Sequence, residues 1–414
     1  MHSDFIEALN KKYACNGAED LSGIELQHYR FASSTNERGL NAISEFEAYG
    51  FCMNGLKILD VGCAYGGYSI EAAKKGAHCY GVDIDASLYE YACLNIKGEI
   101  FANGDCEFIL VDATSPEFIE KLPHNYFDLI IVNDVFEHVY DTVQLLKNLS
   151  IVANEKCTIY FDIPNGNDLR YVAREGHTGY IGLCIVSPLN WQRLTGDEIR
   201  NIYYRQYEYY QALFGYFGFE KVVPTNYPGY ATEEYAYKKI SDEYIETKKI
   251  ISDNELNLPH GYVQHLNEAL VLFDKQLNSD MKNLNAADII WKYATKFWSG
   301  FAHRKNIALN PRTETSVRKL SSDSIENVNF TLSLKNSKLF IEVVCDFPID
   351  EYEFAFNLAR RSERIESSEF LKRPNYEWQL KVSGMYWVTI RIRHKNNEMK
   401  IYTHPLYYSD NKER

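Results

Sequence analysis

The sequence has no Cys-x-x-Cys pair, and its 9 cysteines are an odd number scattered along the chain. That pattern excludes a disulfide framework and a zinc site built on cysteine. Cys63, Cys79 and Cys157 sit in strand-like stretches or their turns and read as reduced, buried thiols. No apolar run approaches the ~18–20 residues that cross a bilayer, so no membrane span is expected. The opening residues Met1-His-Ser-Asp-Phe-Ile-Glu carry neither the basic nor the apolar region of a secretion signal, and a cytoplasmic location is expected. A positive balance is missing too: the formal net charge is −13 at pH 7. Such a chain gains nothing from general attraction to phosphate backbones, which argues against nucleic acid as a partner. Repeats and low-complexity tracts are absent.

What is present is a chain of 414 residues, long enough for two or three domains, with 14% aromatic side chains to fill several cores. Residues 1–50 are polar with aromatic punctuation and predict an N-terminal helical cap, with Leu40, Ile43, Phe46 and Tyr49 on one amphipathic stretch. From 51 to 226 apolar strands alternate with helical stretches, the mark of a doubly wound parallel sheet. The strands expected are 57–61, 79–83, 107–112, 127–132, 157–163 and 219–224, with helices such as 87–96 and 141–150 between them. Residues 227–318 lose the alternation, and helical periodicity over 233–252, 262–284 and 286–301 predicts a helical connector. Its aromatic cluster of Trp291, Tyr293, Phe297, Trp298 and Phe301 reads first as core and second as a platform for sugars. From 319 to 414 the period becomes two, in short runs such as Val328-Asn-Phe-Thr-Leu-Ser-Leu, which predicts an antiparallel β-sandwich. Its Tyr-rich strands resemble immunoglobulin-like accessory domains of bacterial surface-polysaccharide enzymes.

The most informative stretch is Lys57-Ile-Leu-Asp60-Val-Gly62-Cys63-Ala64-Tyr-Gly66-Gly67, closed by Tyr80-Gly-Val-Asp83-Ile84-Asp85. A strand runs into a glycine-rich turn, a helix follows, and a second strand ends on an acid. Glycine lets the backbone approach a ligand closely, and an acid at that strand end accepts from the two hydroxyls of a ribose. Ala64 stands where a middle glycine would be, so the pattern is not the dinucleotide fingerprint. With Asp60 before the turn, it resembles motif I of the class I S-adenosylmethionine (SAM) methyltransferases, over roughly residues 40–226. The resemblance implies a Rossmann-like, seven-stranded sheet with SAM as cofactor. Ligands in such sheets bind beyond the carboxyl ends of strands where strand order reverses, here between the strands ending at Val61 and near Asn133. Asp60, Gly62, Cys63, Ala64 and Gly66 are then expected on the amino-acid side of SAM, and Asp83 with Ile84 at the ribose. Asp112 with Ala113 is expected at the adenine, and Asn133 near the sulfonium. A doubly wound protein binding NAD, or nothing, is the competing reading.

The fourth strand runs into Asn133-Asp134-Val-Phe-Glu137-His138-Val. Asp134, Glu137 and His138 sit at i, i+3 and i+4, so one helical turn would point all three the same way. Two carboxylates and an imidazole are a half-site for a hard metal such as Mg or Mn. A second histidine, His177, follows the Pro164-Asn165 strand end in Arg174-Glu-Gly-His177. This order resembles metal-assisted O-methyltransferases: small-RNA 3′-end 2′-O-methyltransferases and, in part, ubiquinone-pathway O-methyltransferases. It implies Asp134, Glu137, His138 and His177 as metal ligands, with Asp134, Glu137 and His138 as the catalytic set. Asp at 134 replaces the family's commoner Glu, a shorter ligand of the same charge. Metal-free general-base catalysis by His138 and a purely structural role stay open beside this.

The sequence thus predicts a SAM-dependent O-methyltransferase acting on a carbohydrate hydroxyl, in a bacterial surface glycan or its precursor. Association with glycan-assembly machinery and with a second copy of the chain belongs to the same expectation. RNA 2′-O-methylation and a non-catalytic glycan-assembly scaffold are the alternatives. Arg170, Arg174 and Arg193 are candidate anion contacts at the acceptor mouth, and Tyr203, Tyr204, Tyr207, Tyr209 and Tyr210 an aromatic run in a late helix.

Overall fold

The computed structural model describes residues 3–186, 190–192, 202–229, 231–304, 328–335, 337–345, 351–360, 363–381, 384–394, 397–402 and 406–408. Seven strands form one sheet in the order β3 (Asp105–Leu110), β2 (His78–Asp83), β1 (Lys57–Val61), β4 (Phe127–Asn133), β5 (Ala153–Pro164), β7 (Phe297–His303), β6 (Lys221–Pro224). The chain divides into two compact units, residues 1–110 with 307–414, and residues 111–306.

In the first unit, helices α1 (Ser3–Lys12), α2 (Gly23–Ser33) and α3 (Thr35–Tyr49) precede β1 (Lys57–Val61), α4 (Gly67–Lys74), β2 (His78–Asp83), α5 (Ala86–Asn95) and β3 (Asp105–Leu110). The three strands run parallel, with Ile58 opposite Cys79 and Cys79 opposite Cys106. Strand β1 is buried from Ile58 to Val61, as befits a parallel strand covered on both faces. Helix α5 starts where the Asp85 carboxylate accepts from the backbone N–H of Ser87 (2.8 Å) and Leu88 (3.2 Å), an N-cap. Helix α3 lies directly on the start of α4. A Cβ on Gly39 would fall 2.3 Å from the carbonyl oxygen of Gly67, and one on Gly67 would fall 2.2 Å from that of Thr35.

The same unit holds two antiparallel sheets. One is ordered β12 (Asn375–Gln379), β9 (Lys338–Cys345), β8 (Val328–Lys335); the other β11 (Glu363–Ser367), β10 (Glu353–Arg360), β13 (Gly384–His394), β14 (Asn397–Tyr402), with β15 (Leu406–Tyr408) also on β13. Alternate residues of both sheets, among them Leu332, Ile341, Phe356 and Ile390, form one buried core. This is the expected β-sandwich, built by the period-two pattern.

In the second unit, α6 (Pro116–Lys121), β4 (Phe127–Asn133), α7 (Thr142–Val152), β5 (Ala153–Pro164) and α8 (Leu169–Ala173) are followed by α9 (Tyr207–Tyr216) and β6 (Lys221–Pro224). Then come α10 (Glu233–Asn254), α11 (His260–Asn283), α12 (Ala286–Tyr293) and β7 (Phe297–His303). Here the structure corrects the sequence reading. The third connector helix stops at Tyr293, and residues 297–303 form a strand that pairs antiparallel with both β5 and β6. The helices therefore lie between two strands of the sheet. Strand β7 is buried from Trp298 to His303, so it shows no alternation, and a short apolar run of that kind cannot be told from buried helix by period. Gly300 lets it close on its neighbour, since a Cβ there would sit 2.5 Å from the carbonyl oxygen of Val223.

The aromatic cluster is core: Trp291, Tyr293, Trp298 and Phe301 are buried, and Trp298 donates to the carbonyl of Trp291 at 3.0 Å. The cysteines described are free thiols, with Cys63, Cys79 and Cys157 buried. No helix among the described residues is long and apolar enough to cross a membrane.

Candidate active site

The glycine turn of the first unit leaves β1 through left-handed backbone at Gly62 (φ 68°), Ala64 (φ 47°) and Gly66 (φ 77°). Gly62 and Cys63 donate to the carbonyl of Val82, at 2.8 and 3.0 Å, which ties the turn to β2. Ala64 takes the backbone angle that glycine adopts without cost, so the departure from the glycine pattern leaves the turn intact. The Asp83 carboxylate accepts from Ala64 N–H (2.9 Å) with one oxygen and from Asp85 N–H (2.9 Å) with the other. Asp83 thus braces the turn, and the second lone pair on each oxygen is what it can offer a ribose. Ile84 beside it is 69% exposed, a large apolar surface at a strand end. Asp60 is buried behind the turn, accepts from the Ser69 hydroxyl at 3.0 Å, and is pushed by burial up to about 7. It thereby ties β1 to α4. Burial, with Asp60 and Asp83 nearby, raises the Cys63 thiol, which is inert packing.

In the second unit, Asp112 accepts from Thr114 N–H and its hydroxyl, both at 2.8 Å, and the Ala113 carbonyl accepts from Asn148 at 2.9 Å. Asn133 ends β4 opposite Asp162 and is half-buried.

The helical turn expected over 134–138 is shorter than predicted. Asp134 has a left-handed backbone (φ 58°), and only Phe136–His138 form a 3-10 turn. The side chains converge nevertheless. His138 Nε2 lies 3.4 Å from Glu137 Oε1. His177 Nε2 lies 3.5 Å from the same oxygen and 3.9 Å from Asp134 Oδ1. The two imidazole rings meet edge to face, centroids 4.8 Å apart. Ligand atoms of Glu137, His138 and His177 all fall within 4.8 Å of one another. The Glu137 side chain is 0% exposed, yet among the described residues neither of its oxygens has a hydrogen-bond partner, nor has Asp134 Oδ1. Burial raises the pKa of Glu137 well above the usual carboxylate range, and Asp134 adds to the rise. Glu137 and Glu175 in turn hold His177 protonated against the opposing effect of burial. The pocket draws positive charge, as a proton or as a metal ion, so the donor set fits a divalent cation.

Glu175, given no role in the sequence reading, and Tyr204, read there only as part of a helical aromatic run, complete the geometry. Glu175, buried, accepts from His177 Nδ1 at 2.9 Å. The Tyr204 hydroxyl donates to the same carboxylate. The Glu-x-His spacing at 175–177 was the available signal. Tyr203 and Tyr204 precede α9 rather than lying in it, and Tyr207, Tyr209 and Tyr210 alone of the aromatic run are helical. Arg170 is bound to Asp168 through two nitrogens (2.9 and 2.5 Å), a structural pair; Arg174 is exposed; Arg193 lies outside the described residues.

Residues 59–161 match the methyltransferase domain family. Phosphoethanolamine N-methyltransferase 1 of Arabidopsis thaliana is 30% identical over 110 residues, 26% of this chain and 21% of the relative. Ubiquinone biosynthesis O-methyltransferase of Acinetobacter baylyi is 26% identical over 118 residues, 28% of this chain and 48% of the relative. The chain thus spans between about a fifth and about half the length of these curated relatives. Among solved structures, magnesium protoporphyrin IX methyltransferase of Synechocystis aligns with TM-score 0.36 and 16% identity over 53% of this chain and 87% of that one. Residues 59–161 are accordingly similar to a methyltransferase domain, and the relatives include both N- and O-methyltransferases.

Proposed function

We propose that this protein is a SAM-dependent O-methyltransferase that methylates a carbohydrate hydroxyl, in a bacterial surface glycan or its precursor, with the help of Mg or Mn. One observation supports the oxygen specificity: the fully buried Glu137 carboxylate, without a hydrogen-bond partner among the described residues, faces His138 at 3.4 Å and His177 at 3.5 Å. A nitrogen acceptor needs only to lose a proton with an ordinary amine pKa. A hydroxyl is a poor nucleophile near neutral pH and needs stronger activation.

Asp134, Glu137, His138 and His177 are the residues that would hold the cation. When bound, a divalent ion lowers the pKa of a water or alcohol by several units. SAM supplies the electrophilic methyl and carries the leaving thioether, so the chain needs no covalent nucleophile. Asp60, Gly62, Cys63, Ala64, Gly66, Asp83 and Ile84 in the first unit, and Asp112, Ala113 and Asn133 in the second, are assigned to the cofactor. Without a cation, His138, 41% exposed at its side chain, is the group that would take the proton of an incoming hydroxyl.

The sugar assignment rests on the resemblance of the C-terminal sandwich and on one surface feature. Tyr140, two residues beyond His138, is 77% exposed, and its ring meets that of Tyr203 at 5.4 Å. Exposed aromatic rings next to a polar site suit the apolar face of a sugar. RNA 2′-O-methylation is the second reading: the position of His177 favours it and the net charge of −13 opposes it.

The test uses radiolabelled SAM with an extract of the source cells, with and without EDTA. Label in polysaccharide that EDTA abolishes is the expected result. Label in RNA overturns the acceptor, and label that survives EDTA overturns the cation and leaves His138 as a metal-free base.

A further inference from the structure

Two buried glutamates flank one imidazole, and their surroundings are opposite. Both Glu137 and Glu175 side chains are 0% exposed. Glu137 has no hydrogen-bond partner among the described residues. Glu175 is saturated: it accepts from His177 N–H (3.0 Å), Thr178 N–H (2.6 Å), the Thr178 hydroxyl (2.7 Å), His177 Nδ1 (2.9 Å) and the Tyr204 hydroxyl. A carboxylate accepts only, so His177 Nδ1 carries the hydrogen and Nε2 faces Glu137.

The donors to Glu175 come from two places. One is the loop that bears His177 itself. The other is the segment just before α9, where three consecutive residues each tie down a different part of the site. Tyr203 N–H donates to the Glu137 carbonyl at 2.7 Å. Tyr204 reaches Glu175. Arg205 donates to the Tyr140 carbonyl at 2.6 Å, and its guanidinium lies 5.6 Å from the rings of both Tyr203 and Tyr209. Tyr204 is itself packed onto Gly166, where a Cβ would fall 2.6 Å from the Tyr204 Cβ. The turn bearing Glu137 and the loop bearing His177 are thus fixed by neighbouring residues of one segment.

We propose that Tyr204 and Glu175 are positioning residues that fix the His177 ring with Nε2 toward Glu137, so that a divalent cation meets a preformed donor set. This rests on the cation reading above. The pair acts through His177. Without Glu175 the ring is free to turn about its Cβ–Cγ bond and to carry its hydrogen on either nitrogen. Loss of such an outer-shell partner costs about 10–100-fold in metal affinity.

The experiment is a titration of the full chain with Mn2+, free ion read by its electron paramagnetic resonance signal, for wild type, Glu175→Gln and Tyr204→Phe. SAM affinity by calorimetry and the thermal midpoint are measured alongside, with the His177 tautomer read from 15N shifts. Wild type is expected to bind Mn2+ with His177 hydrogen on Nδ1. Glu175→Gln weakens Mn2+ about 10–100-fold, and Tyr204→Phe, which keeps the ring on Gly166, weakens it about threefold or more. SAM affinity stays within about twofold in both. If Glu175→Gln does not fold, Tyr204→Phe decides. Unchanged Mn2+ affinity in the variants overturns the positioning role, as does a loss of Mn2+ and SAM affinity together, which marks a general structural defect. A wild type that binds no Mn2+ overturns the cation reading itself, and the positioning role with it.

Discussion

Nε2 of His177 lies 3.5 Å from Oε1 of Glu137, and no described residue donates a hydrogen bond to either oxygen of that carboxylate. Such an arrangement favours function over stability. In Glu137→Gln the methyl transfer assigned to this site should fall by at least about 100-fold, since one ligand of the cation is lost. The same change should leave the metal-free protein within about 1 kcal/mol of wild type, because burial favours the protonated Glu137 carboxyl, which Gln matches in shape. Thermal unfolding in EDTA, set beside radiolabel transfer, checks both. A variant much less stable than wild type would show that Glu137 is ionised and paired with His177.

His303 predicts an acid-side loss of stability. It is buried on β7, its Nδ1 lies 2.9 Å from the Thr158 hydroxyl, and burial, helped by Lys221, depresses its pKa from 6.5 to about 4. Between those values the unfolded chain binds a proton that the folded chain refuses. Stability should therefore fall as pH drops from about 6.5 to about 4, by up to about 3 kcal/mol. His303→Gln should flatten that part of the curve. Urea unfolding across this pH range measures it.

Two helical glycines predict opposite outcomes for one substitution. Gly39→Ala drives a Cβ to 2.3 Å from the Gly67 carbonyl oxygen, so α3 must lift from the glycine turn. A loss of about 1–3 kcal/mol and weaker SAM binding are expected. Gly215, in α9, has no atom within 4 Å of a built Cβ, and Gly215→Ala should gain about 0.5–1 kcal/mol. Calorimetry of SAM binding distinguishes the turn effect from a plain stability change.

Ala64 holds φ 47°, an angle that costs an L-residue about 1–2 kcal/mol. Ala64→Gly removes that cost and adds back about 0.4–1 kcal/mol of unfolded-state entropy, for a net gain of a few tenths to about 1 kcal/mol. Equal stability of the two proteins would mean that the Ala64 methyl group contributes packing that offsets its strain.

Tyr140→Ala should raise the KM for a glycan acceptor about 10-fold while leaving kcat within about twofold, as expected of a ring that stacks on the acceptor away from the reacting atoms. Equal effects on both constants would place Tyr140 nearer the chemistry.

Most strands of the sheet are legible in the amino-acid sequence. Strand β1 is where the apolar run Lys57–Val61 puts it, and the other strands drawn for the sheet lie within a few residues. The reason is local: each run is bounded by turn residues and its length suits a strand. Strand β7 is not legible, because Phe297–His303 is buried on both faces and period carries no information there. The turn at Glu137 and His138 is legible as a cluster but not as a shape, since the left-handed Asp134 breaks the spacing rule of a helix. Glu175 and Tyr204 stay hidden for another reason. Their pairing is a contact between distant parts of the chain, which spacing along a sequence does not encode.

The late arrival of β7 also bears on synthesis. Its seven residues fill the gap between β5 and β6, yet they emerge only after three helices have been made. Until then β5 keeps a bare row of peptide groups on one edge, and β6, whose sheet partner is β7, has nothing to pair with. A nascent chain paused in the helical segment is thus an open template for another strand, and a folding helper would be needed most in that interval.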